Sequence, residues 1–480
     1  MSSINPRDLG YRMPAEWEPH ARTWMGWPER PDNWREDAKP AQAAFAAVIK
    51  AIAEFEPVMV CCNPLQMTAA ETALLPHDNI EVIELSQDDA WFRDTGPTFV
   101  VRNMEPTSSS LFRTNNSDTG EPSKDADLSP SPRNNPNSEG SLKRNIAGVD
   151  WDFNAWGGST GGLYPDWQRD KLVASRIISL VNPKNDKNNN NVGEVHLFRC
   201  PIVLEGGSIH VDGKGTCLTT EECLLNPNRN PSLTKQEIES WLGEMLGIKK
   251  VIWLPRGLYG DDDTNGHIDN FACFARNSVV LLAWTDDEAD PQFEISVEAL
   301  KILQNETDVE GNSLQVVKVP LPRPMYSTPE DVLSVQAVHG VKTRRQGVRL
   351  AGSYVNLYIC NGGVVMPGLG DEESDAKALA VVKKVFPERK IVQFSWFKVD
   401  VLPVVAAVGV GMGCMFYSIG RTLMHHPEVH LTKQSRMEGV PESGRAETRA
   451  AIYNKGSLYK SIQSHRGEKE VAEGRTRIFN

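Results

Sequence analysis

The chain has 480 residues, 40% of them apolar or aromatic, enough for a sizeable core in one large domain or in two to three ordinary ones. Its 51 Lys and Arg face 63 Asp and Glu, a formal charge of −12 with no basic stripe, which argues against a general nucleic-acid binder and suits at most the weak steering of a small cation. No apolar stretch of signal-peptide length opens the chain, and its eight cysteines show no C-x-x-C spacing, so a cytoplasmic, reduced protein without a zinc ribbon or disulfide framework is expected.

In chain order, AQAAFAAVIKAIAEF (41–55) has helical spacing, and PVMVCC (57–62), NIEVIEL (79–85) and TFVVR (98–102) read as buried strands. VHLFRCPIVLEGGSIHV (195–211) continues the strand texture. The stretch SLTKQEIESWLGEMLG (232–247) reads as a helix opened by Ser232, with Glu237 in its first turns. KVIWL (250–254), SVVLLAW (278–284), LQVVKVPL (314–321) and VNLYICNGGVVMPG (355–368) are further strands, and SDAKALAVVKKVF (374–386) is a further helix. The fold class is α/β.

Two stretches break this rhythm. Residues 103–147, rich in Ser, Asn and Pro, have too little apolar content to offset the entropy of ordering and are expected to be a disordered insertion. Residues 182–194 read as a low-complexity loop of the same kind. After Val392 the texture changes again, and residues 393–480 are expected to be a divergent, disordered tail. Within it, the uncharged run 401–420 has the length of a bilayer span, yet Pro403 and four glycines favour a merely apolar segment over a membrane anchor. HHPEVH (425–430) reads as solvated polar sequence, and G-x-G-x-G at 409–413 is not a dinucleotide fingerprint.

Chemistry concentrates in DDAWFRDTGP (88–97), LEGGSIHVDGKG (204–215) and GDDDTNGHIDN (260–270), each placing acidic or imidazole groups beside Gly or Pro where a strand gives way to a loop. If His267-Ile268-Asp269 is extended, His267 and Asp269 project to one face, because the side-chain period of a strand is two. The imidazole can then carry protons near neutrality, while Asp94 joins Asp269 in gripping a planar bidentate cation such as a guanidinium. The plainer alternatives are a hydrogen-bonded His-x-Asp pair and an Arg93–Asp94 ion pair at a strand end.

From MPAEWEPHARTWMGWPER (13–30) to FPERKIV (386–392), apart from the two insertions, the sequence resembles agmatine deiminase, of the family shared with bacterial-type peptidylarginine deiminases. WFRDTGPTFVV, VDWDFNAWGG, LEGGSIHVDGKGTCLTTEECLLNPNRNP, GDDDTNGHIDN, LLAWTDDEADPQ and SYVNLYICNGGVVMPGLGD carry the resemblance. It implies a pentein fold, five ββαβ units around a pseudo-fivefold axis, spanning residues 1–392, with the last unit disrupted or replaced. It also implies hydrolysis of agmatine to N-carbamoylputrescine and ammonia, a step of polyamine and putrescine synthesis, without metal or organic cofactor; a homodimer is compatible with it. On matching positions, Asp94 and Asp269 would bind the guanidinium, His267 would be general acid and base, Glu205 would orient His267, Trp91 would line the site, and Asp263 would help receive the distal ammonium.

The family's nucleophile lies in G-G-G-x-x-H-C-x-T-x-Q, which this chain lacks. Cys414, in GVGMGCMFYSIG, is the candidate by region only. A divergent loop delivering Cys414, an erroneous translation past Val392 such as a retained intron, and a catalytically dead homologue remain open, the second favoured by the abrupt loss of similarity. The corresponding alternatives in function are a deiminase for peptidyl arginine or another guanidine, and a guanidine-binding protein without turnover.

Overall fold

The computed structural model describes residues 5–103, 144–182 and 195–395. Among the described residues, fifteen strands form five three-stranded sheets, taken strictly in chain order. The first holds β1 (Thr23–Gly26), β2 (Val58–Cys62) and β3 (Ile80–Glu84), and the second β4 (Thr98–Asn103), β5 (Arg144–Asp152) and β6 (His196–Val203). The third holds β7 (Ile209–Val211), β8 (Thr216–Thr220) and β9 (Lys250–Leu254), and the fourth β10 (Ala272–Arg276), β11 (Val279–Trp284) and β12 (Gln315–Pro320). The fifth holds β13 (Tyr358–Cys360), β14 (Gly363–Gly368) and β15 (Lys390–Ser395).

Sheets two to five repeat one plan. An outer strand runs antiparallel to the central strand, and a helical crossover brings the third strand in parallel. The crossovers include α3 (Val173–Val181), α4 (Lys235–Leu246), α5 (Pro291–Asn305) and α6 (Glu372–Val385), while α1 (Lys39–Ala53) and α2 (Met67–Leu74) join the strands of the first sheet. That first sheet departs from the plan, because both its pairings are parallel. Among the described residues, no antiparallel strand lies on the outer edge of β1. The fifth sheet, expected to be disrupted, has all three of its strands.

Apolar clusters close the sheets into a ring. Cys61 and Leu85 pack on Val173 and Ile177 between sheets one and two. Val149 and Ile202 join Cys217 and Leu242 between two and three, and Leu218, Phe274, Leu281, Ile359 and Val382 share one core across three, four and five. Ile49, Ile52, Val60, Cys360 and Val365 complete the circuit from five back to one. Burying such side chains contributes about 1.5–3 kcal/mol each, so the ring is held by its seams as much as by its sheets.

Both insertions leave and re-enter where the chain is already closed. Asn103 pairs with Arg144 at the open end of the β4–β5 hairpin, so residues 104–143, which lie outside the described residues, interrupt a hairpin turn. The expected insertion, 103–147, is shorter at both ends, since Asn103 belongs to β4 and residues 144–147 to β5. At the second, Asn182 Nδ2 donates to the Val195 carbonyl at 2.8 Å and Val195 N–H donates to Asn182 Oδ1 at 2.7 Å. The domain also runs past Val392, through β15. Helix α4 opens at Thr234 rather than Ser232, because Thr234 and Glu237 form a reciprocal capping box, and Gly247 at φ 70° ends it. The rest of the expected tail, residues 396–480 with the apolar run at 401–420 and Cys414, lies outside the described residues, among which no helix is long and apolar enough to cross a membrane.

Candidate active site

The three chemistry-bearing segments meet because each leads into an outer strand: Asp94 precedes β4, Glu205 precedes β7, and His267 and Asp269 precede β10. A pocket lined by Glu16, Arg93, Gly206, His210, Asp269 and Asn356 lies where those strand heads converge. Asp94 sits in the helical turn Phe92–Thr95, with its N–H donating to the Trp91 carbonyl at 3.0 Å. The Gly207 N–H donates to Asp94 Oδ1 and the Trp156 indole N–H to Asp94 Oδ2, both at 2.9 Å.

Two glycines make this convergence possible. A Cβ on Gly206 would stand 2.0 Å from the Arg93 carbonyl oxygen. One on Gly207 would stand 2.5 Å from His267 Nδ1, 2.6 Å from Asp269 Oδ2 and 3.0 Å from Asp94 Oδ1. Three polar side chains from two segments are therefore gathered around one missing methyl group.

His267 and Asp269 do meet, at Gly207, but not as neighbours on a strand. Ile268–Asn270 is a 3-10 turn, and His267 Nδ1 lies 4.0 Å from Asp269 Oδ1. Asp261 shapes the loop: its Oδ2 accepts from Thr264 Oγ1 at 2.5 Å and from the His267 N–H and Asn270 Nδ2, both at 3.1 Å. Asx-type bonding of this kind stabilises a turn over an extended triplet.

On its other side, His267 Nε2 faces Glu205 Oε2 at 3.9 Å, beyond hydrogen-bond reach, so Glu205 stands beside the imidazole without accepting a hydrogen bond from it. Glu205 is instead held by Arg229, whose Nε donates to Oε1 at 2.6 Å with both side chains fully buried. The same guanidinium donates to the carbonyls of Trp156 and Thr264 and to the side chains of Asn228 and Asn265. Arg229 thus ties the segment bearing Glu205 to the His267 loop and, through Trp156, to Asp94. Nothing in NPNRNP marked it beyond a single charge in an otherwise neutral, Asn- and Pro-rich loop. Cys223 completes the wall behind His267, with Glu205, His267 and Cys223 offering ligand atoms that lie within 4.8 Å of one another.

Burial pushes the Asp269 carboxyl up to about 7, with Asp94 adding to the rise and His267 and Arg93 opposing it. Asp94 is raised too, again by burial first. Burial pulls His267 down, but the charge of Asp94 and the contacts with Cys223 and Glu205 outweigh it and leave the imidazole well above its usual range. Glu205 goes the other way: Arg229 and His267 overcome its burial and keep it ionised. Two desolvated carboxylates facing an open position are matched by a buried cation.

Trp91 is 39% exposed and stacks on Trp34, with ring centroids 5.1 Å apart, at the rim beside Asp94. Asp263 does not offer a free carboxylate to a distal ammonium. Lys342 approaches its Oδ1 at 3.0 Å and Arg344 bonds its Oδ2, both from the stretch VKTRR that the sequence reading left unassigned. All seven described cysteines are free thiols and buried, and burial raises each of them away from the thiolate, so none stands ready as a nucleophile.

Residues 12–408 match the family described as Porphyromonas-type peptidyl-arginine deiminase. The chain belongs to this family. It is 47% identical over 387 residues to an agmatine deiminase of Medicago truncatula, covering 81% of this chain and 91% of that protein. An agmatine deiminase of Pseudomonas aeruginosa is 48% identical over the same shares. Among solved structures, the agmatine deiminase of Enterococcus faecalis is similar with a TM-score of 0.68 and 38% identity, covering 83% of this chain and 94% of that one. The five-sheet ring is thus the pentein fold of a deiminase family. Residues 396–449 match a second family, described as NADH-ubiquinone reductase complex 1 MLRQ subunit, so the point where the deiminase resemblance fades is where another begins.

Proposed function

We propose that this deiminase hydrolyses agmatine to N-carbamoylputrescine and ammonia, as a step of putrescine synthesis in the cytoplasm. The observation that carries the reading is the gathering of Asp94, Asp269 and His267 around Gly207. Asp94 and Asp269 grip the guanidinium nitrogens and fix its plane, so that the poorly electrophilic central carbon is presented to a nucleophile. Trp91 offers its exposed face to the aliphatic chain. His267 Nδ1, on the substrate side, delivers a proton to the departing ammonia and then accepts one from the attacking water, with Glu205 balancing the imidazolium from behind.

We assign the sulfur of the covalent step to Cys414 by elimination alone: it is the one cysteine of the sequence that is not among the seven buried thiols, and it lies beyond residue 408, where the deiminase match ends, within the stretch that matches the second family. Thiolate attack forms a C–S bond and expels ammonia; hydrolysis of the amidino thioether then releases the urea product and restores the thiol. The test is ammonia release from agmatine by the full chain, run beside calorimetric binding of agmatine. Cys414→Ala is expected to abolish release and keep binding, and His267→Ala to lose turnover. Binding without release in the unmodified chain would instead support the guanidine-binding alternative, and release from blocked arginine in preference to agmatine would shift the substrate to peptidyl arginine.

A further inference from the structure

Glu205 Oε2 and His267 Nε2 are both buried without a hydrogen-bond partner, and they face each other across 3.9 Å. That gap is too long for a direct hydrogen bond. It is close to the edge of a tetrahedron around one metal ion, about 3.3–3.8 Å for ligand bonds of about 2.0–2.3 Å. Cys223 Sγ supplies a third corner within 4.8 Å, its backbone N–H held by Thr220 Oγ1 at 3.2 Å at the start of a helical turn. Carboxylate, imidazole and thiolate together are a donor set of the zinc class. Arg229 on Oε1 leaves Oε2 free and orients it, as an outer partner does for a ligating carboxylate. Asp94 and Asp269 lie on the opposite side of the imidazole, where their charge would help balance a dication.

We propose that Glu205, His267 and Cys223 form an inhibitory site for a thiophilic divalent cation such as Zn²⁺. The ion binds Nε2, Oε2 and Sγ; the thiol proton of Cys223 and the Nε2 proton of the His267 imidazolium both leave to solvent, and no electron transfer is involved. The imidazole is then left with its proton on Nδ1, a donor towards the substrate but no longer a base, and Glu205 is drawn into the metal. The inhibitory consequence rests on the proposed role of His267, whereas the binding site does not.

The test titrates the full chain with Co²⁺ in the absence of substrate, following the near-ultraviolet thiolate-to-cobalt charge-transfer band. The expected result is a band saturating at one equivalent, kept in Cys414→Ala, lost in Cys223→Ala and in Cys223→Ser, and accompanied by Zn²⁺ inhibition of ammonia release that weakens at least about tenfold when Cys223 is replaced. Two thiol variants, each checked by circular dichroism, guard against misfolding of either. A band that persists in the Cys223 variants, that disappears with Cys414→Ala, or that never forms on the folded chain overturns the proposal. Should the chain prove unable to turn over agmatine, the cobalt band still decides the site.

Discussion

Replacing Arg229 with methionine keeps most of the side-chain volume and removes the cation that holds Glu205. Arg229 is 4% exposed and donates to five acceptors, so the variant strands a carboxylate at 0% exposure and leaves four further oxygens to find new partners. Breaking a buried pair of this kind costs about 3–5 kcal/mol. The sign with pH follows from the direction of each shift. In the parent, Glu205 lies below its usual value, so its contribution is present above the unfolded carboxyl range and is lost on acidification. Without Arg229, burial raises Glu205, so the variant is relatively best at acid pH and loses stability as the carboxyl is forced to ionise. The stability gap should therefore widen from about pH 5 to about pH 8 in urea denaturation, and the His267 resonance should titrate lower as its charged neighbour is neutralised. Arg229→Lys, which retains the charge, should lose less. A gap below about 1 kcal/mol that does not change with pH would refute the assignment of Arg229 as the clamp on Glu205.

Asp94→Asn and Asp269→Asn each remove one charged hydrogen-bonding partner of the guanidinium, worth about 1.5–3 kcal/mol, so calorimetry should show agmatine binding weaker by about tenfold to a hundredfold; unchanged affinity would exclude that residue from the grip. Gly207→Ala places a methyl group 2.5 Å from His267 Nδ1 and 2.6 Å from Asp269 Oδ2, so binding should collapse. Wild-type affinity in that variant would show that the three side chains do not define the site. Because Asp269 is raised to about 7 and a bound cation favours its ionised form, affinity should fall as pH drops below about 7 and protons should be released on binding, read from calorimetry in buffers of different ionisation enthalpy. Replacing residues 104–143 with a short turn should leave the melting temperature within a few degrees, since Asn103 and Arg144 already face each other in the hairpin; a large loss would mean that the insertion packs on the domain.

The strand Val279–Trp284 was legible because burial on both faces leaves a continuous apolar signature. β1 was not, since four residues ending in glycine carry no period. Closure into a ring came only through the family resemblance, because seams such as Ile49 against Val365 join residues more than three hundred positions apart and leave no local trace. At the site, Asp94, His267 and Asp269 stood out as charges beside Gly or Pro. Arg229 and Trp156, which hold them, did not: a buried arginine in a polar loop looks like a solvated one until its acceptors are known. Asp263 failed for the same reason in reverse, since its partners Lys342 and Arg344 lie about eighty residues downstream.

The most direct test of the whole account is mass spectrometry of the full chain mixed with agmatine and quenched before steady state. A mass increase equal to agmatine less ammonia, mapped to the peptide containing Cys414 and absent from Cys414→Ala, is the expected result. Ammonia release that continues undiminished in Cys414→Ala, with no adduct on that cysteine in the parent, would contradict it.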